Sequence, residues 1–431
     1  MDTDKARVYF ERSGTSPIDV QLHGEANALS LGLFLQIAPQ AVGRLRSLSV
    51  YATPPHIQTI TACLYRPAPL LASLEIAGGC HFRSSRNEKL ISRMFNGDLS
   101  SLRELALKRV RTGLPWRGMT NLTSLTLYAI DPDYLSIGQF LDFLESAPFL
   151  RKIDLRGVDL APGDGNGRLV SPGHLQKVDI IRCTPISTLL DHLVIPVGVK
   201  LTTLPNEPGF DINDSVPSSL NNLRNLSGFN KVYLRLQDSN DDTTDLDSEA
   251  RIELKGPNGE LCMLVESFTP DFDPADEIFE SLAQFDTSKV EQLYTDYDIP
   301  PFGDIHQVLF PMKSLRTLVV SRCSYRSLST FMEVLSPSMV PPMEVVCPLL
   351  ERLILVVSDK GFDIRSVLEM AAARASRGAK LKSLVIVGDW IQDSEDGMLG
   401  VSQLRKHVLN VECCSKIPVD DGETKPSDEE D

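Results

Sequence analysis

The stretch LRSLSV, Leu45 to Val50, is the first clear copy of a phrase that recurs as LASLEI from Leu71, LRELAL from Leu102, LTSLTL from Leu122, LRKIDL from Leu150 and LQKVDI from Leu175. It returns as LRTLVV from Leu315, LERLIL from Leu350 and LKSLVI from Leu381. Each copy reads L-x-x-L-x-L, with Ile or Val substituting at the later positions. In the first block the starts lie 26, 31, 20, 28 and 25 residues apart, a leucine-rich-repeat period and not that of a coiled coil or propeller. In such a repeat a short strand points its apolar side chains into a shared core, and no unit buries its apolar face without its neighbours. Leu48, Leu74, Leu105, Leu125, Ile153, Val178, Leu318, Leu353 and Leu384 are therefore expected in one buried ladder.

Val20 lies 28 residues before Leu48, so Ile18 to Leu22 reads as a degenerate first strand. Lys5 to Arg12, stopped by Ser13 and Gly14, reads as an N-terminal cap helix. Leu29 to Ala38 and Ile137 to Ser146 have apolar residues at helical spacing, with Pro39 and Pro148 following as stops. The expected fold class is α/β, a leucine-rich-repeat solenoid curved into a horseshoe around a parallel inner sheet, with irregular repeats of about 20–35 residues. The expected divisions are a cap over 1–16, one extended repeat domain over 17–412 and a disordered acidic tail over 413–431. Inside the repeat domain the segment near 237–280 breaks the pattern: RIELKGPNGELCMLV reads as two strands around a Pro257-Asn258-Gly259 turn, a hairpin that interrupts a parallel ladder. Leu201 with Leu204, Phe229 with Val232, Leu234 and Leu236, and Val290 with Leu293 mark weaker strands, and order is expected to fade after Val411.

A hydrophobic fraction of 42% with 23% charged residues is that of a soluble globular chain, and no apolar run approaches the roughly 18 residues that span a bilayer. The start, MDTDKARVYFERSG, lacks the basic and apolar regions of a secretory signal, so the expected location is cytoplasmic or nuclear. Eight cysteines without C-x-x-C or zinc spacing are expected as thiols, and Cys183 and Cys323, eight residues after a phrase start, as packed turn residues. The net charge of −15 argues against a nucleic-acid binder. The charge concentrates in two places, with 14 acidic and 2 basic residues from Gln237 to Glu280 and 7 acidic and 1 basic from Asp420 to Asp431.

No P-loop, G-x-S-x-G, H-E-x-x-H or G-x-G-x-x-G motif is present. The loop PGDGNGR, Pro162 to Arg168, lacks the lysine of a phosphate cradle and reads as a turn, and the seven histidines stand apart from one another. The expectation is a non-enzyme without cofactor or metal, a monomer that binds protein partners and neither nucleic acid nor membrane. Strand alternation assigns Tyr51, Lys108, Tyr128 and Arg156 to one exposed column, the candidate protein-binding residues. The same positions later read Val319 and Ser321, Ile354 and Val356, and Val385 and Val387, aliphatic in five of the six and either covered or an apolar contact surface. Arg103, Lys108, Arg109, Arg111 and Arg117 form a basic group around one strand.

The opening ARVYFERSGTSPIDVQL, Ala6 to Leu22, followed by irregular repeats, resembles the post-F-box region of fungal F-box/leucine-rich-repeat proteins. The resemblance implies a substrate-recognition role in a Skp–cullin–RING ubiquitin ligase. The helical F-box itself has no counterpart in the nine residues before Phe10, so docking of a Skp-type adaptor is not expected. Alternative readings are a small-GTPase regulator like the Ran GTPase-activating proteins, which also pair repeats with an acidic tail, and a plain scaffold or immune-receptor fragment.

Overall fold

The phrases build a recurring local structure, and their spacing explains why. The first leucine closes a tight turn, the amides of Leu71, Leu102, Leu122, Leu150 and Leu175 donating to the carbonyl three residues back at 3.0–3.3 Å. The next residue starts the ladder, as when Arg103 donates to Ala72, Thr123 to Arg103 and Arg151 to Thr123, each at 2.8 Å. The second and third apolar positions then point to the same side of a strand, because side chains alternate. None of the three ladder residues in any of the nine phrases exceeds 5% exposure, which makes them the core.

The computed structural model describes residues 3–23, 28–78, 91–110, 118–130, 135–161, 167–206, 212–237, 248–267, 282–296, 302–321, 325–336, 344–357, 364–388 and 395–415. The chain divides into two compact units, Met1–Ser227 with Asn258–Leu264, and Gly228–Pro257 with Val265–Asp431, where the sequence reading has one domain over 17–412.

The first unit begins with α1 (Thr3–Arg12), β1 (Ile18–His23), α2 (Ala28–Ala41), β2 (Leu45–Ala52), α3 (Pro54–Cys63), β3 (Ser73–Gly78), β4 (Glu104–Lys108) and β5 (Ser124–Tyr128). It continues with α4 (Ile137–Ser146), β6 (Lys152–Arg156), β7 (Lys177–Cys183), α5 (Ile186–Asp191) and β8 (Val199–Pro205). Strands β1 to β8 pair in sequence order, all parallel, as an open sheet. Val20 pairs with Leu48, so the degenerate first strand takes its expected register. α1 is tied down where Arg44 lies over the Phe10 ring at 4.7 Å and donates to Ser13 Oγ at 3.0 Å. α4 starts at a capping box: the Gln139 amide donates to Ser136 Oγ at 3.3 Å and the Ser136 amide to Gln139 Oε1 at 3.1 Å. One expectation fails: Pro39 lies inside α2 instead of ending it. Ala38, Ala41 and Val42 are at most 1% exposed, so burial of the last turn outweighs the lost backbone bond.

Beyond β8 the order changes. Strands β9 (Lys231–Gln237) and β10 (Ser248–Gly256) flank the acidic segment, and β11 (Gly259–Ser267) follows the Pro257-Asn258 turn. In the first unit β11 lies parallel to β8. Gly259 permits this approach: at φ +136 a Cβ would sit 2.6 Å from the Val199 carbonyl oxygen. Asn225 fills the corner, its side-chain amide donating to the carbonyls of Val199 and Glu260 at 3.3 and 3.0 Å.

In the second unit β10 runs antiparallel to β9, a pairing the sequence reading did not assign, and β12 (Gln292–Asp296) takes the other edge of β9 in parallel. Parallel order then continues through β13 (Thr317–Ser321), β14 (Arg352–Val356), β15 (Ser383–Val387) and β16 (Asn410–Cys414). Helices α6 (Phe302–Leu309), α7 (Tyr325–Leu335), α8 (Ile364–Ser376) and α9 (Glu395–Leu404) connect them. Order does not fade at Val411: Val408 and Val411 are buried, and the Gly388 amide donates to the Cys414 carbonyl at 3.0 Å. Residues 413–415 are therefore ordered, contrary to expectation, and residues 416–431 lie outside the described residues. Among the described residues no helix is long and apolar enough to cross a membrane.

Candidate binding face of the first unit

Each strand of the first unit turns two residues to the core and the alternate ones outward, and the parallel register aligns the outward residues in rows. The last row reads His23, Tyr51, Ala77, Lys108, Tyr128, Arg156 and Ile181. The four candidate residues therefore share one row, with Ala77 separating Tyr51 from Lys108. The middle row reads Ser49, Glu75, Ala106, Thr126, Asp154, Asp179 and Thr202.

The candidates are held by neighbours that sequence reasoning left out of the site. Glu75 accepts from Lys108 Nζ at 2.7 Å, from Ser49 Oγ at 3.3 Å and from the Tyr51 hydroxyl. Burial alone would raise the Glu75 pKa, but the hydrogen bonds from Lys108 and Tyr51, the Lys108 charge and the Ser49 bond hold it below the usual carboxylate value. The bond to Glu75, burial and the Glu75 charge push the Tyr51 hydroxyl up to about 12. The His23 ring stacks on Tyr51 at 5.1 Å between centroids. Arg156 Nε donates to Asp154 at 2.9 Å, a bond that, with the Asp154 charge, raises the guanidinium pKa.

A recurrent exit turn shapes the rim. The residues following the last row, Arg109, Ala129, Gly157 and Arg182, all have φ between +50 and +57. The amides of Arg109, Ala129 and Gly157 donate to Tyr128, Arg156 and Ile181 carbonyls at 2.7, 2.7 and 2.8 Å, bonds that offset the strain of the non-glycine residues. The turn folds Arg109 back, with its guanidinium 5.3 Å from the centre of the Tyr128 ring. One strand further, Cys183 is buried and bonded at its thiol by the Val158 amide at 3.4 Å, the packing role expected of it. Burial pushes that thiol up to about 12.

A further row precedes the ladder residue on each strand: Glu104, Ser124, Lys152, Lys177 and Lys200. It was readable by extending strand alternation one step towards the N-terminus, and the candidate set stopped short of it.

Other expectations resolve differently. Val319, Ile354, Val385 and Val387 of the second unit are buried, at 8, 5, 1 and 5% exposure, and pack with Tyr294, Val356 and Cys414, so they form no exposed apolar patch. Beside them Tyr233 and Tyr294 stack at 4.5 Å. The basic group is not a free cluster: Lys108 pairs with Glu75 and Arg109 covers Tyr128, while Arg111 and Arg117 lie outside the described residues. Arg168 bonds Asp142 at 2.6 Å and Glu145 of α4, while residues 162–166 of the glycine-rich stretch lie outside the described residues. Cys323 lies outside the described residues. Among the described residues no three His, Cys, Asp or Glu side chains are grouped to hold a metal ion. Compared with known protein families and with curated proteins, the chain matches none.

Proposed function

We propose that the chain is a leucine-rich-repeat protein that binds other proteins through the outward face of β2 to β7, as the non-catalytic substrate-recognition part of an F-box-type ubiquitin-ligase adaptor. The observation that carries the binding role is the row Tyr51, Lys108, Tyr128 and Arg156, in register on strands anchored by a fully buried ladder. Tyr and Arg are the residue types that most often dominate interfaces, and prior fastening by Glu75 and Asp154 lowers the ordering cost of binding. Support for the repeat assignment comes from the turn, ladder and exit bonds that recur phrase after phrase, and from Cys183 eight residues after its phrase start. Support for the ligase role comes from the resemblance of Ala6 to Leu22 to fungal F-box/leucine-rich-repeat proteins.

The test is affinity capture with the tagged full chain against Tyr128→Ala/Arg156→Gln. Asp154 is only 8% exposed and loses its guanidinium partner in this variant, so a second variant adding Asp154→Asn removes the unpaired charge. The expected result is an intact fold and the loss of proteins captured by the wild type; ligase subunits among the wild-type captures would support the ligase role. An unchanged set of captured proteins contradicts the assignment of the face, and a captured small GTPase favours a regulator of the Ran GTPase-activating kind.

A further inference from the structure

We infer that the part of this face formed by β6, β7 and β8 grips an acidic peptide segment of the partner; the inference rests on the proposed binding role and names what is bound. Lys152, Lys177 and Lys200 stand side by side in register on these three strands. Neighbouring strands are about 4.8 Å apart, and like charges directly opposite repel, so such a row costs free energy unless anions meet it. Asp154 and Asp179, also in register, lie in the next row.

The carboxylates do not neutralise this surface outwardly. Their side chains are 11% and 8% exposed, and each is already bonded, Asp154 to Arg156 Nε at 2.9 Å and Asp179 to Lys177 Nζ at 3.0 Å. The cations stand above them, with side-chain exposure of 52% for Arg156, 44% for Lys177 and 47% for Lys200. Lys200 also reaches Glu260 of β11 at 3.3 Å, and Lys152 is exposed. The floor is thus anionic and satisfied, while the rim is cationic and wet, with four cations to two carboxylates in the three rows across these strands. A neutral or basic segment would add no counter-charge to Lys152 and would leave Lys177 and Lys200 with one partly buried carboxylate each. An acidic one completes it: alternate side chains of an extended peptide are about 6.6 Å apart, within the adjustable reach of lysines on neighbouring strands.

The probe is a fluorescein-labelled polyglutamate peptide, titrated with the full chain at low ionic strength and read by fluorescence anisotropy. Wild type is expected to bind, more weakly as salt is raised. Lys152→Gln/Lys177→Gln/Lys200→Gln is expected to weaken binding about tenfold, from three partly exposed pairs. Lys152→Glu alone, at an exposed position, is expected to weaken it about threefold, which keeps the test decisive should the triple variant misfold. The triple Lys→Arg variant is expected to bind like wild type. Absence of binding by wild type, or equal binding by the triple and the reversal variants, overturns the inference. Binding that appears only when residues 416–431 are deleted also overturns it, placing the chain's own acidic tail on the lysines. Loss of captured proteins in Tyr128→Ala/Arg156→Gln without any polyglutamate binding sinks this inference alone and leaves the binding role standing.

Discussion

Replacing Arg374 with Met is expected to destabilise the second unit by about 3 kcal/mol. Arg374, on α8, is 0% exposed and donates to the carbonyls of Leu335, Val346 and Cys347 at 3.2, 2.8 and 2.8 Å. Burial pulls its pKa below the ordinary guanidinium value, so the protein tolerates a costly charge to close these carbonyls. The Cys347 carbonyl retains the Leu350 amide at 3.1 Å after the change, but those of Leu335 and Val346 each lose a donor. An unmet buried carbonyl costs about 1–3 kcal/mol, so two cost about 2–6 kcal/mol, and removal of the buried charge returns part of this. A net loss of about 3 kcal/mol lowers the melting temperature by about 6–12 °C for a unit of this size. Thermal unfolding of the full chain by circular dichroism reads the shift, and hydrogen exchange reads lost protection around Cys347. Arg374→Lys recovers only part, because one ammonium lacks the planar fork. A shift under about 2 °C with unchanged protection would show that these carbonyls find donors without Arg374.

Leu125→Asp puts a carboxylate where the side chain is 0% exposed and is expected to cost more than about 4 kcal/mol, unfolding at least the neighbouring strands; unchanged circular dichroism and melting would contradict the ladder. Glu75→Gln is expected to cost about 1 kcal/mol near neutral pH. Because the folded Glu75 pKa is lowered, its contribution is present above the unfolded value of about 4.3 and lost as pH falls through the folded value, so urea-unfolding midpoints of wild type and variant converge in acid. Tyr51, pushed up to about 12, stabilises the fold fully below about pH 10 and loses that contribution between about 10 and 12; Tyr51→Phe is expected to remove the latest phase of the absorbance titration, and its persistence would assign that phase to another tyrosine. Gly259→Ala forces a Cβ against the Val199 carbonyl oxygen and is expected to cost about 2 kcal/mol or more in thermal unfolding; a neutral change would mean that β11 gives way freely.

The strands and their register were legible because a period-2 apolar pattern is local: the distance from Val20 to Leu48 sufficed to pair β1 with β2. The turn at Pro257-Asn258 was legible for the same reason, as was the thiol of Cys183. What escaped depends on neighbours distant in sequence. Glu75 becomes the centre of the face only because Tyr51 and Ser49 from the strand on one side and Lys108 from the strand on the other converge on it. Arg374 reads as a solvated helix residue, yet it lies one turn from Met370 and Ala371 on the buried side of α8, where carbonyls of a preceding loop need donors. Pro39 looked like a helix stop because the burial of Ala41 and Val42 is a tertiary fact that local propensity does not contain.

The most direct test of the binding face is site-specific photocrosslinking from within the full chain. A photoreactive phenylalanine analogue in place of Tyr128, on the outward row, is compared with one in place of Thr59, exposed on α3. Covalent adducts to partner proteins from position 128, and none from 59, are the expected result. Adducts from position 59 with none from 128 would put the partner on the helical side and contradict the account.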